Sequence, residues 1–169
     1  LECGVLVQAT IGHGYPLDEA SPFTQYVGMA NGRTEYVCCP YDEGLKRHFF
    51  NEFATIAKHR RRIIMVDDDF RLMARPGRGC ACGLHMARIN ELTGEELTRS
   101  ELCRRIFDEN DTELREVFFK TQGESLINAA RAMRDGIDSV NPSIPGCFCA
   151  CGNAAEFAGE IAEILAGRG

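Results

Sequence analysis

The sequence lacks several features that would define its class at once. No apolar run approaches the roughly 20 residues that a membrane-spanning helix needs, so we expect no membrane contact. It also lacks an excess of basic residues, because its net charge is −6, and contacts to nucleic-acid phosphates call for a basic face. It has no internal repeat and no low-complexity tract. These absences argue against a membrane protein, a nucleic-acid-binding protein and a repeat protein.

The composition is that of a globular protein, apart from its cysteines. A chain of 169 residues with 44% hydrophobic residues can bury a core, and we predict a single domain over residues 1–169. Nine cysteines are present, an odd number, and several are adjacent or one residue apart. Such spacing disfavours a disulfide framework. We therefore expect reduced thiols in a cytoplasmic protein.

Apolar periodicity predicts alternating strands and helices. Apolar strands are predicted at 4–10, 63–66 and 143–151, and a short hairpin around Asn31-Gly32. Helices are predicted to begin near Asp42, Leu84, Thr98, Asp111 and Asn153. Crossovers of this length make the strands parallel, which predicts an α/β fold. Because three parallel strands make a poor closed domain, we expect a parallel-stranded (β/α) barrel, present only as part of a TIM barrel.

The segment IIMVDDDFR at residues 63–71 places three acids directly after a buried strand. In parallel α/β folds, active sites gather at the carboxyl ends of the strands. Strand alternation favours Asp68 as the acid that points into the site, with Asp67 and Asp69 orienting Arg71 or a helix start. A partly desolvated carboxylate near others has a raised pKa and can act as a general acid. The alternative is a helix N-cap cluster or a solvated loop.

A histidine and several cysteines lie near the same strand ends. His13, between two glycines, either binds a substrate hydroxyl or caps backbone carbonyls of its loop. The candidate metal ligands are Cys80, Cys82 and His85 in one segment and Cys147, Cys149 and Cys151 in the third strand. They are enough for a zinc site. The spacing departs from the usual C-x2-C pair, however, and buried cysteines often serve as small apolar side chains.

Four segments carry a resemblance to a known group of enzymes. QATIGHG, VDDDFRL, GCACGLHMARINELTG and LTRSEL resemble segments of bacterial glycoside hydrolases with a (β/α)8 barrel, distantly akin to the β-galactosidase type. In that group an acidic-acidic-Phe-Arg motif closes the fourth barrel strand, and a cysteine loop and a helix ending in Asn-Glu-x-x-Gly follow. The resemblance covers roughly residues 4–165. It implies a hydrolase, a glycosidase acting on a carbohydrate. Zinc, the one cofactor considered, is suggested by the thiols and not by the resemblance.

The resemblance also implies roles for individual residues. Asp68 would be the general acid/base, with Asp67 or Asp69 as runner-up, and the residues that contact sugar hydroxyls would be His13, Arg71 and Gln8. A glycosidase needs a second carboxylate, which in these barrels comes from a late strand. The chain would then hold half a site, and a fragment of this kind would rely on self-association into a homo-oligomer to cover its sheet edges.

Two other functions stay open. One is a cysteine-rich zinc-binding module without hydrolase activity, in which the metal organises the loops. The other is a barrel lyase or aldolase whose adjacent aspartates hold Mg²⁺, since hard cations prefer carboxylate oxygens. Fold alone does not separate these chemistries.

Overall fold

Short strands and longer helices alternate along the chain. The computed structural model describes residues 3–8, 10–12, 21–59, 62–150 and 157–167. The strands are β1 (Val5–Val7), β2 (Gln25–Val27), β3 (Thr34–Cys38), β4 (Ile64–Val66) and β5 (Gly146–Phe148). The helices are α1 (Glu43–Ala57), α2 (Gly83–Thr93), α3 (Arg99–Phe107), α4 (Thr112–Asp138) and α5 (Ala158–Ala166).

The apolar strands form one parallel sheet, in the order β1-β4-β5. Val5 pairs with Ile64, and Ile64 pairs with Gly146 on its other side. The connections between these strands contain helices, and crossovers of that length permit parallel pairing. The predicted α/β class with parallel central strands is therefore confirmed, and the carboxyl ends of the three strands lie along one edge.

The predicted barrel is wrong. The described residues form this three-stranded parallel sheet and a separate antiparallel pair, β2-β3, whereas a TIM barrel closes eight parallel strands. β2 and β3 are joined by the turn predicted at Asn31-Gly32, where Gly32 has a φ of +66°. A turn this short can join only antiparallel strands. The segment between β1 and α1 therefore makes a hairpin instead of extending a parallel sheet.

Side-chain hydrogen bonds cap the starts of α1, α3 and α4, where the sequence predicts helices to begin. Asp42 accepts the backbone N–H of Leu45 at 3.0 Å, and Asp111 accepts that of Leu114 at 3.0 Å. Thr98 makes the predicted capping box at the start of α3. These bonds satisfy amide groups that the first turn of a helix leaves unpaired. The predicted cap Asn153 lies outside the described residues.

Two apolar cores lie on either side of the segment that precedes α2. The larger one packs α1 and the second half of α4 against the parallel sheet, with Phe49 and Phe53 fully buried. A Cβ at Gly136 would lie 2.3 Å from the carbonyl oxygen of Phe50, so this glycine allows α1 and α4 to approach closely. The smaller core packs α2, α3 and the first half of α4 around Ile89 and Leu102. The 27-residue α4 thus takes part in both cores.

A helix must be both long and apolar to cross a bilayer. No helix in the described part of the chain is both long enough and apolar enough to cross a membrane. The cytoplasmic location stays a prediction from the cysteine pattern.

Candidate metal centre

Four buried side chains from distant parts of the sequence meet in one place, and the three cysteines among them belong to the larger core. They are Cys39, Cys80, Cys82 and His85, which we call the Cys₃His group. Their sulfur and imidazole nitrogen atoms all lie within 4.8 Å of one another. No side chain in the group is more than 3% exposed. The arrangement therefore forms a closed pocket of potential metal ligands.

Backbone hydrogen bonds hold the two cysteines before α2 in an extended conformation. Ala81 donates its N–H to the carbonyl of Val27 at 2.7 Å, so this segment adds to the β2-β3 hairpin. The buried Gln122 of α4 accepts the N–H of Cys80 at 2.7 Å and donates to its carbonyl at 3.0 Å. In extended backbone, residues two apart point to the same side. Cys80 and Cys82 therefore face the group together, and Ala81 packs into the smaller core.

The start of α2 supplies the imidazole. Cys82 is the N-cap residue of α2, but its side chain makes no capping hydrogen bond. Serine, threonine and aspartate are preferred at this position because they cap, so this thiol is used elsewhere. His85 lies one turn later and points Nδ1 at the Sγ atoms of Cys39 and Cys82, at 3.2 and 3.6 Å. Nδ1 is therefore the nitrogen placed to bind a metal.

The end of β3 supplies the remaining thiol. Cys39 donates its N–H to the carbonyl of Thr24 at 2.7 Å, which fixes its backbone. Its neighbour Cys38 points the other way, with Sγ 3.6 Å from the hydroxyl of Ser21. The Sγ atoms of Cys39 and Cys82 are 3.4 Å apart, far beyond the ~2.05 Å of a disulfide bond. These cysteines are free thiols.

The distances within the group are close to those of a tetrahedral zinc site. Zinc lies about 2.3 Å from sulfur and 2.0–2.1 Å from nitrogen, which puts two sulfurs about 3.8 Å apart and sulfur and nitrogen about 3.6 Å apart. The measured values are 3.4 Å between sulfurs and 3.2 and 3.6 Å from sulfur to nitrogen. For these three ligands an ion would therefore require only a small outward shift, and the Cys80 sulfur lies within 4.8 Å of each of them.

The crowded thiols also affect one another's ionisation. Hydrogen bonds from Cys39 and Cys80 lower the pKa of Cys82, and His85 adds to this effect. Hydrogen bonding to its two cysteine neighbours, together with burial, raises the pKa of Cys39, and burial raises the pKa of Cys80 to about 12. The group thus favours one thiolate, at Cys82. A bound cation would deprotonate the other two thiols by coordinating them.

A layer of aromatic and charged side chains covers the imidazole. The rings of Tyr41 and His85 pack with their centroids 4.7 Å apart. The Tyr41 hydroxyl donates to Glu124 at 3.0 Å, and burial raises the pKa of this hydroxyl. Glu124 in turn accepts two hydrogen bonds from Arg88 of α2, at 3.2 and 3.0 Å. Among the described residues, His85 Nε2 has no hydrogen-bond partner.

The structure brings together only part of the predicted ligand set. Cys80, Cys82 and His85 are in the group, whereas Cys147 in β5 is half-buried and Cys149 just after it is exposed. Cys151 and His13 lie outside the described residues. Sequence reasoning missed Cys39, which no motif links to the other three ligands. Only the β2-β3 hairpin, joined to the segment before α2, carries it to them.

The acid triplet after β4 has a mainly structural set of contacts. Asp69 is fully buried and accepts hydrogen bonds from the Thr10 hydroxyl and from the N–H of Gly12, the latter at 2.8 Å. Asp68 is partly exposed and pairs with Arg71 at 3.1 Å. β4 ends at Val66, and the turn that follows interrupts the alternation from which Asp68 was expected to point inward. Asp69 instead ties the segment after β1 to the segment after β4.

The remaining predicted site residues lie near this edge of the sheet. Asp67 is half-buried and donates its N–H to the carbonyl of Val7 at 3.0 Å, which extends the β1-β4 pairing by one bond. Gln8, just after β1, is exposed. The catalytic and sugar-binding roles assigned to these residues stay predictions.

Asp69, which is fully buried, and Asp68, which is partly exposed, provide a matched test of this structural role. We expect Asp69→Ala to lower the free energy of unfolding by about 2 kcal/mol, because the Gly12 N–H and Thr10 hydroxyl lose a charged acceptor. Asp68→Ala should cost less than about 1 kcal/mol, since its ion pair is partly exposed. Urea unfolding of both variants measures the difference. Equal losses would contradict the anchoring role of Asp69.

Comparison with known proteins gives no relative from which a function could be taken. Family models, curated proteins and solved structures were compared with the chain, and none matches. The described strands also form an open three-stranded sheet where the resemblance implied a barrel. The resemblance to barrel glycoside hydrolases is therefore wrong, and it no longer supports an assignment as a hydrolase or glycosidase.

Proposed function

We propose that this chain is a zinc-binding module, in which one zinc ion held by the Cys₃His group fastens the β2-β3 hairpin to the start of α2. The observation that carries the proposal is the convergence of three sulfurs and one nitrogen within 4.8 Å, all from buried side chains. Two of the four ligands come from a segment hydrogen-bonded to the hairpin, and one comes from the helix itself. The ion would therefore add side-chain ligation to elements that backbone hydrogen bonds already join.

The donor set supports zinc over other cations. Thiolate sulfur and imidazole nitrogen suit zinc, while magnesium and calcium prefer oxygen. Four protein ligands in a closed tetrahedron are typical of structural zinc, whereas a catalytic zinc keeps one position open for water. The burial of every ligand supports the structural role, because water has no direct access to the ion.

Packing alone gives a weaker account of the group. A thiol is a weak hydrogen-bond donor and often serves as a small apolar side chain. A buried imidazole, however, loses its hydration and needs partners in return. Among the described residues, His85 has thiols on one side and an aromatic ring on the other. Coordination of Nδ1 would offset much of that desolvation cost.

The acids after β4 do not favour the alternative of a magnesium-dependent lyase or aldolase. Asp69 is occupied by Thr10 and Gly12, and Asp68 by Arg71. Within the described ranges, the Cys₃His group is the only set of three or more potential ligands close enough to share an ion. A magnesium site would need several oxygen ligands converging on one point.

Metal content of the purified protein tests the proposal. Protein prepared without chelator should contain about one zinc per chain, measured by inductively coupled plasma mass spectrometry against protein concentration. Cys39→Ser and Cys82→Ser should each lose most of that zinc. Cys149→Ser is the matched control, because this exposed thiol lies outside the group, and it should keep the ion.

Two results would contradict the proposal. The first is a folded, reduced protein that stays metal-free even after zinc is added in excess. The second is zinc that survives in both ligand variants but is lost in the control, which would assign the ion to the cysteines at the end of β5.

A further inference from the structure

An apolar cavity lies on the far side of the smaller core and uses none of the metal-binding residues. It has a volume of about 820 Å³ and opens between the ends of α3 and α4 and the residue that precedes α5. Its wall is aromatic: Phe118 is buried, and Phe119 stacks on Phe157 with ring centroids 5.7 Å apart. Ligand pockets typically have volumes of ~300–1,000 Å³. We call this site the aromatic cavity.

Two of the lining rings remain open to solvent. Phe107 is 45% exposed and Phe119 is 42% exposed. Both line the same cavity, so they form one continuous apolar surface and not isolated exposed side chains. A contiguous exposed apolar surface commonly marks a binding site.

The rim of the aromatic cavity carries mostly positive charge. Arg78, Arg115 and Lys120 line it, against the single acid Glu116. This surplus of positive charge stands on a protein whose net charge is −6. The Arg78 guanidinium lies over the Phe107 ring, 5.7 Å from its centroid, and Arg115 is held by the Ile106 carbonyl at 3.1 Å. Two of the cations are thus fixed beside the aromatic wall.

We propose that the aromatic cavity binds a free long-chain carboxylate. Its alkyl tail would lie against the phenylalanines, and its carboxylate would pair with the cations at the rim. Charge complementarity supports this ligand over a neutral or cationic one, because three cations line the cavity against a single acid. The apolar wall supplies the rest of the affinity through burial of the tail.

Displacement of a fluorescent fatty acid from the purified protein tests the proposal. Dodecanoate, kept below its micellar concentration, should displace the probe with a stoichiometry of one per chain. Dodecan-1-ol and dodecylamine should each bind at least about fivefold more weakly, since they lack the anion that the rim pairs. Decanoate should bind about fifteenfold more weakly than dodecanoate, because it is shorter by two methylenes and each buried methylene contributes about fourfold.

Variants separate the tail from the headgroup. The double variant Arg78→Gln/Lys120→Gln should weaken dodecanoate about tenfold and leave the alcohol nearly unchanged. Phe119→Asp should weaken both ligands, because it places a charge in the aromatic wall. Arg131→Gln is the control. Arg131 lies in α4, as Lys120 does, but lines a different surface, so its replacement should leave dodecanoate binding unchanged. Circular dichroism checks that each variant is folded.

Several outcomes would overturn the proposal. They include no saturable displacement, equal or tighter binding of the alcohol or the amine, and unchanged dodecanoate binding in the double variant. A dimer that Phe119→Asp dissociates, without probe displacement, would assign the surface to a second copy of the chain. Binding to anionic phospholipid vesicles without binding of free dodecanoate would assign it to a membrane surface.

Discussion

Replacing a ligand of the Cys₃His group is expected to lower the thermal midpoint Tm by about 10–20 °C. A structural zinc site contributes about 10–16 kcal/mol of apparent binding free energy in zinc-finger peptides at pH 7. The larger core contains Cys39, Cys80 and Cys82 but also packs many side chains outside the group, such as Phe49 and Phe53, so we expect a net loss of about 5 kcal/mol for Cys82→Ser. Thermal unfolding followed by circular dichroism measures the shift, and addition of a chelator to the unmodified protein should reproduce it.

Cys149 provides the control for this prediction, because its thiol is exposed and lies outside the Cys₃His group. Cys149→Ser should leave Tm within about 2 °C of the parent, since surface substitutions usually cost less than about 0.5 kcal/mol. Chelator should then lower its Tm as much as it lowers that of the unmodified protein. If Cys82→Ser and Cys149→Ser had the same Tm, and chelator changed the Tm of neither, the metal would have no structural role.

Arg134→Met is expected to cost about 3 kcal/mol of unfolding free energy. The guanidinium is 5% exposed and donates to the carbonyls of Ile144 and Leu165, at 2.9 and 3.1 Å. It also pairs with Asp138 one turn later in α4. Methionine fills a similar volume but donates no hydrogen bond, so both carbonyls lose a charged donor at about 1–3 kcal/mol each. Urea unfolding measures the loss.

The position of Arg134 explains why one side chain should matter so much. Its two carbonyl partners belong to the segment before β5 and to α5, so the arginine fastens both to α4. Arg131, one turn earlier, is exposed and bonds only the Asn128 side chain at 3.2 Å in the described part of the chain. Arg131→Met should therefore cost less than about 0.5 kcal/mol. A loss for Arg134→Met as small as this would contradict the fastening role.

Local signals in the sequence predicted local structure well. Asp42 and Asp111 cap α1 and α4, and Thr98 caps α3 through a capping box. Each of these features depends on residues within one turn of helix, so the sequence alone contains the relevant partners. The predicted turn at Asn31-Gly32 likewise depends only on residues that are close in sequence.

The arrangement of strands was predictable only in part. Long helical crossovers correctly implied parallel pairing of β1, β4 and β5. The barrel was inferred from the shortage of strands, and nothing in the periodicity of a strand tells whether a sheet closes. Likewise, alternation favoured Asp68 as the inward-pointing acid, but the strand ends before the triplet. The turn then buries Asp69 instead.

The candidate site was also visible only in part. Cys80, Cys82 and His85 lie within six residues, and their residue types suggested a metal although their spacing departs from the usual C-x2-C pair. Cys39 lies 43 residues before Cys82 and reaches it through the hairpin and its bridge to the segment before α2. Local spacing carries no information about such a contact. The cysteines in and after β5 were predicted as ligands on the same grounds, but Cys147 and Cys149 lie outside the group.

X-ray absorption at the zinc edge tests the central claim most directly. The account predicts one zinc per chain with a first shell of three sulfurs at about 2.3 Å and one nitrogen at about 2.0–2.1 Å. Cys39→Ser should change that shell if the distant thiol is a ligand, while Cys149→Ser should leave it unaltered. A shell made only of oxygen and nitrogen, or a sulfur shell insensitive to Cys39→Ser, would contradict a zinc ion held by Cys39, Cys80, Cys82 and His85.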